Sequence, residues 1–268
     1  MHLPRIALAL VFFATPVLAS DGVLEINQTC AVETGCFAGD TPGFPVVLSA
    51  LGSYRLTSNL FPPDINTTAI RVDAQSVTID LSGFGIVFPG EGCTTEGCPQ
   101  GSGDGIARNG SGRRIAVLNG FVENAGRYGL LLSSLARVEG VRVLGSGLDG
   151  IALSSGIVSK CLVERSGGFG VSAGSDTVLL HNVLDSNNLL DAGASDLTGG
   201  VPTIGNLCGD DSCSPAPRRR RYYLTSSQEF TGATASNACR AGFHIASVYE
   251  LYDPSGLSYE AAVGFLGA

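Results

Sequence analysis

Apolar side chains return at a fixed interval along the middle of the chain. Val117, Val138, Val158 and Val178 are spaced 21, 20 and 20 residues apart, and Val122, Val143, Val163 and Val183 repeat the same three intervals. Gly129, Gly150 and Gly170 keep step, before Leu190 takes the place of the glycine. After each glycine apolar residues alternate with others, as in Leu130/Leu132, Ile151/Leu153 and Val171/Ala173. That is the period of a strand with one buried face. Helices fit poorly, because glycines fall every few residues and each costs a helix roughly 1 kcal/mol. A repeat of this length cannot bury its own apolar face, so copies must stack. The predicted fold is all-β, a parallel solenoid. Each strand pairs with its counterpart one coil on, at about 4.8 Å, and the four valines from Val117 to Val178 form one interior stack.

The register extends upstream, where Ile70/Val72 and Val77/Ile79 imitate the strand–corner–strand pattern of Ile151, Leu153 and Val158. Residues 89–104, rich in glycine and holding Cys93 and Cys98, read as a loop projecting from a corner. The blocks Gly43-Phe44-Pro45-Val46, Gly52-Ser53-Tyr54-Arg55-Leu56-Thr57-Ser58-Asn59-Leu60 and Val77-Thr78-Ile79-Asp80-Leu81-Ser82-Gly83-Phe84 join the glycine corners in a resemblance over residues 42–190. The chain resembles the right-handed parallel β-helix repeat proteins, the pectate-lyase-like class of secreted bacterial solenoids. That resemblance implies a right-handed coil. It leaves the chemistry open, since the fold carries lyases, hydrolases, epimerases, adhesins and tailspikes. The expected organisation is a signal peptide at 1–19, an N-terminal cap at 20–60, the β-helix at 61–205, a linker at 206–221 and a small α+β or irregular module at 222–268.

Export is read from the basic start (His2, Arg5), the apolar run Ile6–Phe13 and Val17-Leu18-Ala19 before Ser20. No later segment is long and apolar enough to span a membrane, and the predicted location is secreted, periplasmic or cell-surface. Six of the eight cysteines form close pairs, Cys30/Cys36, Cys93/Cys98 and Cys208/Cys213, which read as local disulfides in an oxidising compartment. Zinc is the weaker reading, because no histidine accompanies them. Removing the signal takes Arg5 from 16 basic residues against 24 acids, leaving a net charge near −9. With no basic stripe, nucleic acid is not an expected partner.

Candidate chemistry is sparse. Counting from the glycine corners, the outward positions of one strand are Asn119, Phe121 and Glu123, then Gly140, Arg142 and Leu144. Lys160, Leu162 and Glu164 follow, then Leu180, Asn182 and Leu184. Glu123, Arg142, Lys160 and Glu164 are the charged members and form the candidate ligand-binding patch, with Lys160, the only lysine, as the available base. The calcium-dependent lyases of the resembled class stack carboxylates on adjacent coils. Here Leu144 separates Glu123 from Glu164, so about 9.6 Å lies between their backbones and no metal site or cofactor is expected. His181 and Cys161 fall in the inward column of Gly120 and Val141, predicting a buried imidazole and a buried thiol. Asn124, Asp185 and Asn187 read as corner residues that satisfy backbone groups. Arg218 to Arg221 read as linker charge, Cys239 has no local partner, and His244 with Glu250 offers too few ligands for a metal.

The expected function is a non-catalytic exported scaffold that binds extracellular polysaccharide or a cell-surface glycan. A polysaccharide lyase or glycoside hydrolase acting on acidic polysaccharide is the alternative, with Glu123 and Glu164 or Lys160 in the acid–base roles. A structural envelope protein is the third reading. The absence of tryptophan removes the strongest sugar-stacking side chain, although seven tyrosines remain.

Overall fold

The computed structural model describes residues 22–94, 97–98, 100–110, 112–191, 194–203, 205–210, 212–213, 220–222 and 257–259. The predicted signal peptide, Arg218, Arg219, Cys239, His244 and Glu250 lie outside the described residues. In chain order the strands are β1 (Val23–Ile26), β2 (Val46–Leu48), β3 (Gly52–Leu56), β4 (Ile70–Val72), β5 (Val77–Asp80) and β6 (Gly85–Val87). Then come β7 (Ile106–Arg108), β8 (Ile115–Glu123), β9 (Leu130–Leu131), β10 (Ala136–Leu144), β11 (Ile151–Leu153), β12 (Gly156–Ser159) and β13 (Leu162–Glu164). The last are β14 (Val171–Leu180), β15 (Val183–Asp185), β16 (Leu197–Pro202), β17 (Leu207–Cys208), β18 (Arg220–Tyr222) and β19 (Leu257–Tyr259). Strands β1 to β17 pair in parallel as a solenoid of about seven turns, while β18 and β19 pair only with each other.

Three parallel faces enclose one apolar interior. On the first, Val46, Ile70, Ile106, Leu130, Ile151, Val171 and Leu197 register one above the next. On the second the column is Tyr54, Ile79, Val117, Val138, Val158 and Leu179. On the third, Leu60, Ile86, Val122, Val143, Val163, Leu184 and Cys208 stack. All are buried. Each fully buried aliphatic contributes about 1.5–3 kcal/mol, so these columns dominate the stability. Gly129 and Gly150 recur because a Cβ at either would sit 2.4 or 2.3 Å from the interior methyl of Val143 or Val163. Paired strands run past both of the β-helix boundaries drawn from the sequence, since β1 and β2 precede residue 61 and β17 follows residue 205.

The interior stack of valines is corrected at its fourth member. Val158 pairs with Leu179, and Val178 lies beside Ile157 on the outer surface. One residue more separates Val171 from Thr177 than separates Ile151 from Gly156. Because side chains alternate, that single addition turns every later residue of the coil to the opposite face. Leu184 therefore replaces Val183 indoors, Asn182 replaces the exposed His181, and Leu180, Asn182 and Leu184 are not the outward set. The glycine column likewise continues at Asp196, whose carbonyl accepts from Gly170, while Leu190 is half exposed.

Corners are made by single left-handed residues in columns. Asn119, Gly140, Lys160, His181 and Gly205 turn five successive coils from second face to third at φ between 53° and 78°. Asn124, Gly145, Arg165 and Ser186 form the column that leaves the third face. Ser76, Arg114 and Leu135 form the one that enters the second. Leu135, at φ 59°, is 57% exposed, so its side chain gives little in return for the strained backbone. Leu135→Gly is expected to raise stability by about 0.5–1 kcal/mol, about 1–4 °C in thermal midpoint by calorimetry.

Buried polar groups are placed where the corners leave backbone unpaired. Asn182 Oδ1 accepts from Cys161 N at 3.0 Å, and its Nδ2 donates to Val158 O and to Asn206 Oδ1, both at 2.9 Å. Asn187 repeats the device with Ser166 N and Val163 O, and Asn124 Nδ2 donates to Gly90 O. Cys161 is a buried free thiol, as expected, and burial pushes its pKa up to about 11, which keeps it protonated and inert. Before the first face, Asp104 accepts from Arg127 Nε and Nη2 and from Tyr128 N, which fastens the 89–104 loop to the next coil.

Asp149, in the same corner column, accepts from Phe169 N at 2.9 Å, yet burial holds its carboxyl above the usual carboxylate range. The folded protein thus binds this proton more readily than the unfolded chain does. The ionised carboxylate is a cost at neutral pH that fades as pH falls through its raised value towards the ordinary one, about 3.9. Asp149→Asn keeps the acceptor and removes the charge. It is expected to be more stable than the parent at pH 7, with the difference closing as both are acidified below pH ~4 and followed by urea denaturation.

Three disulfides join the predicted pairs, Cys30–Cys36, Cys93–Cys98 and Cys208–Cys213. The first closes a loop with one helical turn, Cys30–Thr34, over the first coil, where Ala31 is buried and Phe37 meets Tyr54 edge-on at 5.2 Å. The last closes a loop under the final coil, burying Cys213.

Candidate functional site

The four charged residues of the candidate patch divide between two faces. Val117 and Val122 both point inward although they are five positions apart, an odd number, so β8 must break its alternation between them, and it does so at the left-handed Asn119. Lys160 occupies the equivalent corner two coils on. Its ammonium turns towards the second face, where Glu139 Oε1 lies 2.9 Å away. Glu139 also pairs with Arg137, and hydrogen bonds from Lys160 and Arg137 hold its carboxyl below the usual range. The Lys160 ammonium is thereby engaged by a carboxylate of the second face, away from the outer side of the third.

Glu123, Arg142 and Glu164 belong to the outer side of the third face. There Arg142 Nη2 meets Glu123 Oε1 at 2.7 Å, and its guanidinium lies 5.1 Å over the ring of Phe121. Phe121 rests on Gly85, where a Cβ would come within 2.2 Å of the ring. Glycine at 85 thus seats the aromatic, and the aromatic with Glu123 fixes the guanidinium. Cation–ring and exposed ion-pair contacts of this kind are each worth about 0.5–1 kcal/mol, so the assembly orients Arg142 more than it stabilises the fold.

Glu123, Leu144, Glu164 and Asp185 follow one another on successive coils. The separation expected between Glu123 and Glu164 is therefore present, with Leu144 between. Asp185, read from the sequence as a corner residue, instead ends β15 and lies beside Glu164 on the adjacent coil at one strand spacing, about 4.8 Å. Both side chains project from partly or fully exposed positions. The added residue between Val171 and Thr177 brings Asp185 there.

An open cleft of about 290 Å³ adjoins this column. Gly90, Glu91, Gly92, Cys93 and Thr94 of the disulfide-braced loop form one wall, and Glu123, Asn124, Leu144 and Arg165 form the other. Arg165 is held in a left-handed corner that aims it outward. Sequence reading missed it because nothing in an isolated arginine signals a corner.

Asp196, Cys208 and Asp210 lie close enough to share a metal ion, but their atoms are committed. The sulfur is in a disulfide. Asp196 accepts from Asn187 N and Gly209 N, and Asp210 accepts from Asp196 N and from Ser212. Burial works against ionised Asp210, but these hydrogen bonds outweigh it and hold its carboxyl below the usual range. Comparison with known proteins returns no match, whether with a family model, a curated protein or a solved structure.

Proposed function

We propose that the chain is an exported scaffold that binds an extended extracellular polysaccharide or cell-surface glycan along the outer third face without cleaving it. The observation that carries this reading is the run of polar and charged side chains on consecutive coils, Glu123, Arg142, Glu164 and Asp185, beside the cleft under the 89–104 loop. A repeat near 4.8 Å offers a regular polymer a series of similar contacts, and the Glu123–Arg142 pair is already oriented to hydrogen-bond hydroxyls. Export is supported by three local disulfides, bonds that persist in oxidising compartments. Among the described residues no helix is long and apolar enough to cross a membrane.

A glycan array probed with the full chain tests the proposal, run beside an ultraviolet assay for unsaturated uronides on acidic polysaccharides. The comparison protein carries Glu123→Gln, Arg142→Gln, Glu164→Gln and Asp185→Asn together. These are exposed or half-exposed positions, so the variant folds. Binding should survive chelation and fall about tenfold or more in the variant, a loss of about 1.4 kcal/mol. Unchanged binding would remove the face from consideration. Unsaturated products that disappear with Lys160→Ala would establish a lyase instead.

A further inference from the structure

The outer surface changes character along the solenoid. On the second face one outward column runs Ser53, Thr78, Ala116 and Arg137, then turns aliphatic with Ile157, Val178 and Val201. On the third face, across the corner of Lys160, His181 and Gly205, the column that starts with Gly85, Phe121 and Arg142 continues with Leu162, Val183 and Leu207. Ile157, Val201, Val183 and Leu207 are 43, 49, 38 and 65% exposed. Both columns become apolar on the same three last coils, so six aliphatic side chains in strand register make one patch around one corner. Apolar surface that is continuous in register marks a contact rather than chance exposure.

We propose that this patch is the docking surface for the chain's own segment 223–268. That segment carries Phe230, Ile245, Val248, Leu251, Val263 and Phe265, and a stretch of this length holds too little interior to bury them all by itself. It follows the patch directly. Residues 214–219 join Cys213, on the final coil, to β18 and span up to about 20 Å when extended. Three coils rise only about 14 Å, so the segment reaches the whole patch. Tethering also gives it an effective concentration in the millimolar range, which a second molecule does not have. A stable contact between copies needs roughly 800 Å² and 20–30 residues a side, more than six partly exposed aliphatics supply. The inference is independent of what the charged column on the third face binds.

A photo-crosslinking residue, p-benzoylphenylalanine, placed in the full chain at Val178 or at Val183 tests the assignment, with Thr78 as the matched site on an early coil. Mixing isotopically light and heavy protein separates crosslinks within a chain from those between chains. The expected result is crosslinking within one chain to peptides of 223–268 from positions 178 and 183, and none from 78. Crosslinks between copies, crosslinks to no peptide, or equal yields from Thr78 would overturn the proposal. As a second measurement, Val178→Asp with Val201→Asp should speed hydrogen exchange in peptides of 223–268 about tenfold or more, while peptides covering 117–164 keep their protection. Unchanged exchange in 223–268 would also overturn it.

Discussion

Val158→Asp is expected to abolish soluble folded protein, whereas Val178→Asp, twenty residues on in the apparent repeat, should leave the solenoid intact. Val158 is fully buried between Val138 and Leu179 in the second-face column, and among the described residues no basic side chain is buried there to meet a carboxylate. An unpaired charge there costs several kcal/mol, the order of the 5–15 kcal/mol that holds a domain together. Val178 projects from the outer surface beside Ile157, and substitutions at such sites stay within about 0.5 kcal/mol. Soluble yield and far-ultraviolet circular dichroism of the two variants decide the register. Equal damage from both would mean that Val178 is interior after all.

The second large effect is expected at Asn182. Its side chain serves Cys161 N and Val158 O, both buried, and Asn206 Oδ1 at the edge of the interior. Asn182→Ala takes this partner from Cys161 N and Val158 O, while Asn206 Oδ1 keeps the hydrogen bond from Asn182 N, and at about 1–3 kcal/mol for each of the two buried groups the total loss should be about 2–5 kcal/mol by urea denaturation. Asn182→Asp keeps the acceptor for Cys161 N but loses both donors, so it should not rescue the variant. A loss below about 1 kcal/mol for Asn182→Ala would show that water replaces the amide.

Those two positions also mark what the sequence could tell. The repeat was legible because a valine column at constant spacing has few explanations other than stacked coils, and the disulfides because each pair is close and flanked by loop-forming residues. The fourth coil was misread because one added residue leaves the apolar composition almost unchanged, with Val178 and Val183 still available to imitate the column. The corner inside β8 and β10 did leave a trace. Two inward valines five residues apart violate the alternation of an unbroken strand, and that parity defect locates the turn near Asn119. The same odd spacing between Val158 and Val163 puts Lys160 on a corner and not on a flat face. The partners of Arg142 were beyond reach, since the contact with Phe121 depends on Gly85 one coil below it.

The two disulfide loops at the ends of the described solenoid give the stack a definite length. In a one-dimensional array each turn is supported only by its neighbours, so opening begins at whichever end is easiest to peel. Cys30–Cys36 and Cys208–Cys213 sit at those two places, where Ala31 and Cys213 are buried. Reducing agent would then do more than loosen two small loops. It would release the turns that hold Ala31 and Cys213 in place and make both ends easier to open, with hydrogen exchange in the first and last coils rising as thiols are released.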